Sequence, residues 1–260
     1  MVIRKKALAF FARNSFVTIA FISCLCYNRK CKGFRDKGES MTIEKEPKNF
    51  SEKNAPTEEF IREYNRLKPL YLGGMKTACT RFEILDSEFA SLQGHDPIHH
   101  IENRLKSVES SFEKLRRRGF AQTPENLVKL TDIAGVRVVC SYIEDIYNIA
   151  NVFLNQPDVR LLHEKDYLKQ PKTNGYRSLH LIAEVPVCLS TLQTRVPVEI
   201  QLRTISMNMW ASLEHEVSYK VNADLAAKYR AELKDCADGL FALEEQMQKI
   251  CNGIRSETEH

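Results

Sequence analysis

Alternation of apolar and polar residues is sharpest at Val198, Ile200 and Leu202 against Glu199, Gln201 and Arg203, the period of a half-buried strand. Its polar face sets a carboxylate, an amide and a guanidinium at one pitch, a set that offers acceptors and donors together. The period then lengthens: Met207, Trp210, Leu213 and Val217 recur at three and four residues, which predicts a helix capped by Thr204 or Ser206, with Asn208, Glu214 and His215 off the stripe. Upstream, Thr57 caps a predicted helix carrying Phe60, Ile61, Tyr64 and Leu67 and ending at Lys68, before Pro69; Met75, Ala78, Phe82 and Leu85 predict a second over 74–89. In the extended segment that follows, Ile101 and Leu105 share one side while Arg104 and Lys106 share the other. Ser107 caps a helix with Val108, Phe112 and Leu115 inward, closed by Arg116 to Arg118 and Gly119, cations that suit a helix C-terminus.

Val136, Val138 and Cys140 alternating with Arg137 predict the next strand, and Ile143, Ile146, Tyr147, Ala150, Phe153 and Leu154 a helix after it. Strands are expected over 159–163 and 179–187, with 189–196 as a connection, and a last helix from Ala223 to about Ile250. Strand, helix, strand argues for an α/β (α+β) fold with a mixed sheet flanked by helices.

Charge changes the picture of partners. Of 38 Lys and Arg and 34 Asp and Glu, residues 1–40 hold nine cations and two acids, so that segment carries +7 and the remainder, with 29 cations and 32 acids, carries −3. A whole-domain electrostatic case for DNA or RNA binding therefore fails. Eight cysteines without a Cys-x-x-Cys pair read as free thiols of a reducing compartment, and the expected location is cytoplasmic. Arg4, Lys5 and Lys6 precede an interrupted apolar run, 15–26, too short to span a bilayer comfortably. Residues 1–40 are thus read as an extension, signal-like or untranslated, with Met41 the expected true start; membrane attachment would require 1–26 to be translated and retained. Residues 41–56 read as a disordered leader, 57–252 as the domain and 253–260 as a tail.

Asp132 precedes a strand whose Gly135 lets backbone come close. With Glu199 it supplies two hard oxygen ligands from two strands, an arrangement Mg²⁺ uses when water and phosphate oxygens complete its shell. Arg104 and Lys106 are placed to receive phosphates. The long loop 164–178 mixes cations with Asn174-Gly175 and Tyr176, a ring presented for stacking on a base, and loops of this kind often move over a ligand.

These residues carry a resemblance. Thr131-Asp132-Ile133-Ala134-Gly135-Val136-Arg137, Gly175-Tyr176-Arg177-Ser178-Leu179-His180, Glu199-Ile200-Gln201-Leu202-Arg203-Thr204 and Met207-Asn208-Met209-Trp210-Ala211 with Glu214-His215 resemble the synthetase domain of RelA/SpoT-type alarmone synthetases, over about residues 60–250, at the length of the small single-domain members. The resemblance implies a nucleotidyltransferase-like sheet, transfer of the β,γ-pyrophosphate of ATP to the 3′-hydroxyl of GTP or GDP, Mg²⁺, and a homotetramer. It implies that Asp132 holds the metal and that Glu199 assists it or accepts the hydroxyl proton. By the same resemblance Arg104 and Arg137 sandwich adenine, Lys106 contacts ATP phosphates, Tyr176 stacks on guanine and Asn208 helps recognise the acceptor, with Lys165, Lys172, His180, Gln201 and Arg203 completing the GTP/GDP pocket. His95-Asp96 is a lone pair without the helical chain of the family's hydrolase domain, so product degradation is not expected. His100 and Glu102 stand where one subgroup places an aromatic and a hydroxyl residue for binding its product, and Glu102 would repel that anion. The competing readings are a non-catalytic guanine-nucleotide-binding domain, which could dispense with Asp132 and Glu199, and an RNA-binding module, which −3 disfavours.

Overall fold

The computed structural model describes residues 55–93, 95–220 and 229–258. The expectations for the extension 1–40, the Met41 start, most of the leader and the first residues of the last helix lie outside them.

A five-stranded mixed sheet runs in the order β1 (Ile98–Leu105), β2 (Ala134–Cys140), β5 (Gln193–Thr204), β4 (Leu179–Cys188), β3 (Arg160–Asp166). Only β2 and β5 are parallel; the other neighbours are antiparallel. Period-two alternation sends Val136, Val138, Leu181, Ala183, Val198, Ile200 and Leu202 to one face, where all are buried. That face is covered by α1 (Glu58–Gln93), which packs on β1, β2, β4 and β5, and by α3 (Ile143–Leu154), whose Phe153 stacks on Phe82 of α1 at 4.5 Å between centroids. The opposite face keeps its polar residues.

The predicted break at Pro69 does not occur: α1 is one helix of 36 residues. Proline forfeits the bond to the carbonyl four residues back, but burial of Phe60 and Tyr64 before it and Tyr71 and Met75 after it holds both halves on the sheet. Gly73 lets the helix approach β4 closely, since a Cβ there would lie 2.7 Å from a Val187 methyl. Ser107 caps α2 (Val108–Arg117) as expected, accepting from the Ser110 N–H at 3.2 Å, and Gly119 follows with φ +74°. The 189–196 connection is shorter than expected: Leu189 N–H donates to Leu192 O at 2.7 Å, and β5 starts at Gln193 opposite Cys188. Backbone pairing extends the hairpin through polar residues with no apolar alternation to signal it.

Thr204 caps α4 (Ile205–Lys220), accepting from the Met207 N–H at 3.3 Å. Met207 and Trp210 are buried as predicted, but Leu213 is exposed, because the covering helix α5 (Arg230–Thr258) meets α4 at Trp210, whose indole N–H donates to Leu233 O at 2.8 Å. The last helix reaches Thr258, beyond the expected end near Ile250 and through most of the expected tail. No helix among the described residues is long and apolar enough to cross a membrane.

Candidate active site

Strand register puts one polar residue from each strand into a single row across the open face: Glu102, Arg137, Gln201, His180 and Lys165. One step along, Arg104 opposes Gly135 and Gly135 opposes Glu199. Gly135 carries no side chain, so a cavity of about 120 Å³ opens here, lined by Arg104, Gly135, Arg137, Glu199 and Gln201 with Glu102, Asn103 and Val136. A core that fixes Val136, Val138, Ile200 and Leu202 inward thereby fixes Arg137, Glu199 and Gln201 outward.

Glu102 is the hub of the outer wall. Arg137 Nη1 donates to it at 2.7 Å, Asn208 Nδ2 at 3.3 Å, and His100 Nε2 lies 3.1 Å from its Oε1. Burial alone would raise this carboxyl; the His100 hydrogen bond and the Arg137 charge outweigh it and hold it below the usual range. Asn208, expected at the acceptor nucleotide, thus sits beside Arg137, with its buried Oδ1 unpartnered.

Asp132 belongs to a second cluster. Its buried carboxylate takes Lys106 Nζ at 3.0 Å and Lys114 Nζ on the same Oδ2, while Oδ1 is buried without a hydrogen-bond partner. Burial would raise the carboxyl, but the lysines' hydrogen bonds hold it down; burial pushes Lys114 down in turn. Lys106 lies just past the end of β1, its N–H bonded to Ile133 O at 2.8 Å, which brings it to Asp132 rather than onto the Arg104 row. Lys114 was not legible as a site residue: it is one cation among several on the polar side of α2. Among the described residues there is no group of three or more His, Cys, Asp or Glu able to hold a metal. A metal held by Asp132 and Glu199 would therefore take the rest of its shell from water and phosphate.

From Glu199 a hydrogen-bond chain crosses to the other half of the site. Gln201 Nε2 donates to Glu199 at 3.2 Å, Arg203 Nη2 donates to Gln201 Oε1 at 3.1 Å and to Tyr176 Oη at 2.5 Å, and Tyr176 Oη lies 2.8 Å from His180 Nε2. Lys172 Nζ stands over the Tyr176 and Tyr167 rings at 4.5 and 4.8 Å, and Tyr167 meets His180 edge-on at 5.2 Å. Tyr167 is a wall residue that sequence reasoning missed; only the folded loop brings it beside His180. Burial, reinforced by Arg203, Lys172, Lys165 and Arg137, pushes His180 down to about 3, so its imidazole is neutral near pH 7. Burial lowers Arg203 as well.

The 167–178 loop is hydrogen-bonded across its base and its tip: Tyr167 N–H donates to Ser178 O at 2.9 Å, Lys172 N–H to Tyr176 O at 3.1 Å and Gly175 N–H to Lys172 O at 2.9 Å. Its backbone continues the β3–β4 hairpin.

The pattern of the region found in RelA/SpoT proteins matches residues 103–224, which begin just after Glu102 and contain Asp132, Arg137, Tyr176, His180 and Glu199. The chain is 46% identical over 172 residues to GTP pyrophosphokinase YwaC of Bacillus subtilis, covering 66% of this chain and 82% of that one. It belongs to the RelA/SpoT-type small alarmone synthetases. GTP pyrophosphokinase YjbM of Bacillus subtilis is 33% identical over 156 residues, covering 60% of this synthetase and 73% of the relative. Among solved structures, small alarmone synthetase 2 of Bacillus subtilis superposes with TM-score 0.64 at 44% identity, over 70% of this chain and 96% of that one. Small alarmone synthetase 1 from the same organism, bound to its product pppGpp, superposes with TM-score 0.67 at 28% identity, over 75% and 99%. The synthetase is thus a GTP pyrophosphokinase with the mixed-sheet fold of those enzymes.

Proposed function

We propose that the two halves of the polar sheet face are the two nucleotide sites of the pyrophosphate transfer, with ATP against Arg104, Arg137 and Lys106, and GTP or GDP against Tyr176, His180, Lys165, Lys172 and Arg203. The observation that carries this reading is the shared cavity of Arg104, Arg137 and Glu199, joined through Gln201 and Arg203 to Tyr176. Guanidinium planes suit stacking on adenine, and lysine suits a phosphate. The 3′-hydroxyl oxygen of the guanine nucleotide attacks the β-phosphorus of ATP, the bond from that phosphorus to the α-phosphate oxygen breaks, and AMP leaves. The hydroxyl proton goes to Glu199, whose Oε2 is oriented by Gln201. A neutral His180 accepts or donates one hydrogen bond without adding charge.

Mg²⁺ fits the residues present: the orphaned Oδ1 of Asp132 is a hard ligand already stripped of water, and Glu199 stands on the strand beside Gly135. Bound there, the ion supplies positive charge to non-bridging phosphate oxygens. Lys106 and Lys114 hold Asp132 ionised and ready for it. Leu243, Met247, Ile250 and Ile254 are exposed along α5 and support a homo-oligomer, the tetramer expected for the family. Free cysteines at 79, 140, 188, 236 and 251 suit a reducing cytoplasm.

The test is Glu199→Gln in a radiolabelled ATP and GDP assay with Mg²⁺. Turnover is expected to fall by about 10²- to 10⁴-fold while both nucleotides still bind by calorimetry. Turnover within two-fold of wild type would reject Glu199 as the base.

A further inference from the structure

Tyr176 faces the site, and its neighbour Arg177 faces the other way. There Arg177 Nη2 donates to Asp238 of α5 at 2.9 Å, its Nη1 reaches Leu168 O at the opposite end of the loop at 3.4 Å, and its guanidinium lies 4.1 Å above the Phe241 ring. The Arg177 side chain is only 13% exposed; Asp238 is the carboxylate that hydrogen-bonds this nearly buried charge, and Glu244 of the same helix is a second carboxylate close to it. Asp238 is itself gripped by Lys234 at 2.5 Å, one turn back on α5.

Backbone contact at the adjacent residue independently ties the same loop to the same helix. Gly175 has φ +89°, and a Cβ there would lie 2.7 Å from the Ala237 Cβ and 3.3 Å from the Lys234 Cα. Only glycine lets the loop lie this close to α5 in that conformation.

From these two contacts we propose that α5 is the positioning element of the acceptor-nucleotide wall, with Asp238, acting through Arg177, holding Tyr176 in the orientation that binds the guanine nucleotide. The inference rests on the assignment of Tyr176 to the acceptor half of the site. Arg177 ties both ends of the loop to one helix, so losing Asp238 removes an anchor that Tyr176, Lys172 and Tyr167 share. Among the described residues, the cavity of the ATP half is lined from β1, β2 and β5, with Lys106 just past β1, and neither α5 nor the loop lines it. Asp238 therefore acts on one substrate and not the other. It is a positioning residue and touches neither nucleotide.

The experiment uses the full chain with Asp238→Asn, Asp238→Ala and Asp238→Glu. Steady-state KM is measured for GTP at saturating ATP and for ATP at saturating GTP. GTP binding without ATP and Tm are measured in parallel. Removing the partner of a buried guanidinium is expected to raise the GTP KM and the GTP Kd roughly ten-fold in Asp238→Asn and Asp238→Ala. The ATP KM should stay within two-fold, and Asp238→Glu should recover most of the loss. Because Asp238 is 42% exposed, Asp238→Asn keeps the fold and separates positioning from stability. A GTP KM unchanged in folded Asp238→Asn, or a parallel rise of both KM values, overturns the proposal. Should wild type bind GTP without turning it over, the transfer reading fails on its own, and the GTP Kd of the variants still decides the role of α5.

Discussion

His180 shows how a residue takes its chemistry from its surroundings. On β4 it is half-buried beneath Tyr167 and Tyr176, with Arg203, Lys172, Lys165 and Arg137 around it. Its folded pKa of about 3 lies below the ordinary histidine value of 6.5, so between those values the unfolded chain binds a proton that the folded one refuses. Stability accordingly rises with pH across that window and is lost as pH falls from 6.5 towards 3. Asp132, also depressed, loses its share only below its ordinary range near 3.8, while burial raises Asp145 and Glu244, whose contributions run in the opposite sense to that of His180. Replacing His180 with Gln is expected to flatten the dependence of Tm on pH between 6.5 and 5; an unchanged slope in differential scanning calorimetry would contradict the burial argument. At the same scale, Asp132→Asn leaves Lys106 and Lys114 without their counter-charge. It should raise the Mg²⁺ concentration for half-maximal activity by ten-fold or more, roughly the factor of one lost carboxylate ligand. A titration curve that superposes on wild type counts against Asp132 as a ligand.

Elements keep their shape by tertiary contact where local preference points elsewhere. Pro69 is exposed in the middle of α1 and costs that helix a hydrogen bond. Pro69→Ala should raise stability in urea by about 1–3 kcal/mol with activity unchanged, since α1 covers the face of the sheet opposite the site. A fall in stability would mean that the proline shapes the helix. Gly175 poses the reverse case, a positive-φ residue pressed on α5, where Ala brings both backbone strain and a clash with Ala237. Gly175→Ala is expected to lose about 1–3 kcal/mol and to weaken GTP binding before ATP binding. Equal weakening of both would argue that the loop serves the whole site.

For the whole molecule, the exposed Leu243, Met247 and Ile250 give α5 apolar surface beside its contacts with α3 and α4, and Leu243 and Met247 line a groove there with Ile143, Ile205 and Met209. Leu243→Glu with Met247→Glu should shift the mass measured by light scattering to that of a smaller species; an unchanged mass would move the interface elsewhere. Alternation alone marked the strand of Glu199, Gln201 and Arg203 and the helices from Ser107 and Ile143, because burial of one face imposes a period that any single strand or helix must show. The same residues, with Asp132, Arg137 and Tyr176, pointed to the chemistry, since carboxylates, guanidinium groups and a loop tyrosine have few joint uses. Tertiary structure alone decided that Glu102 would grip Arg137 and Asn208, that Lys114 would join Asp132, and that Arg177 would leave the site for Asp238. Each of those pairs joins residues distant in sequence or sends a side chain away from its motif. Periodicity reports which face a residue occupies, whereas the partner across that face is set by strand register and helix docking.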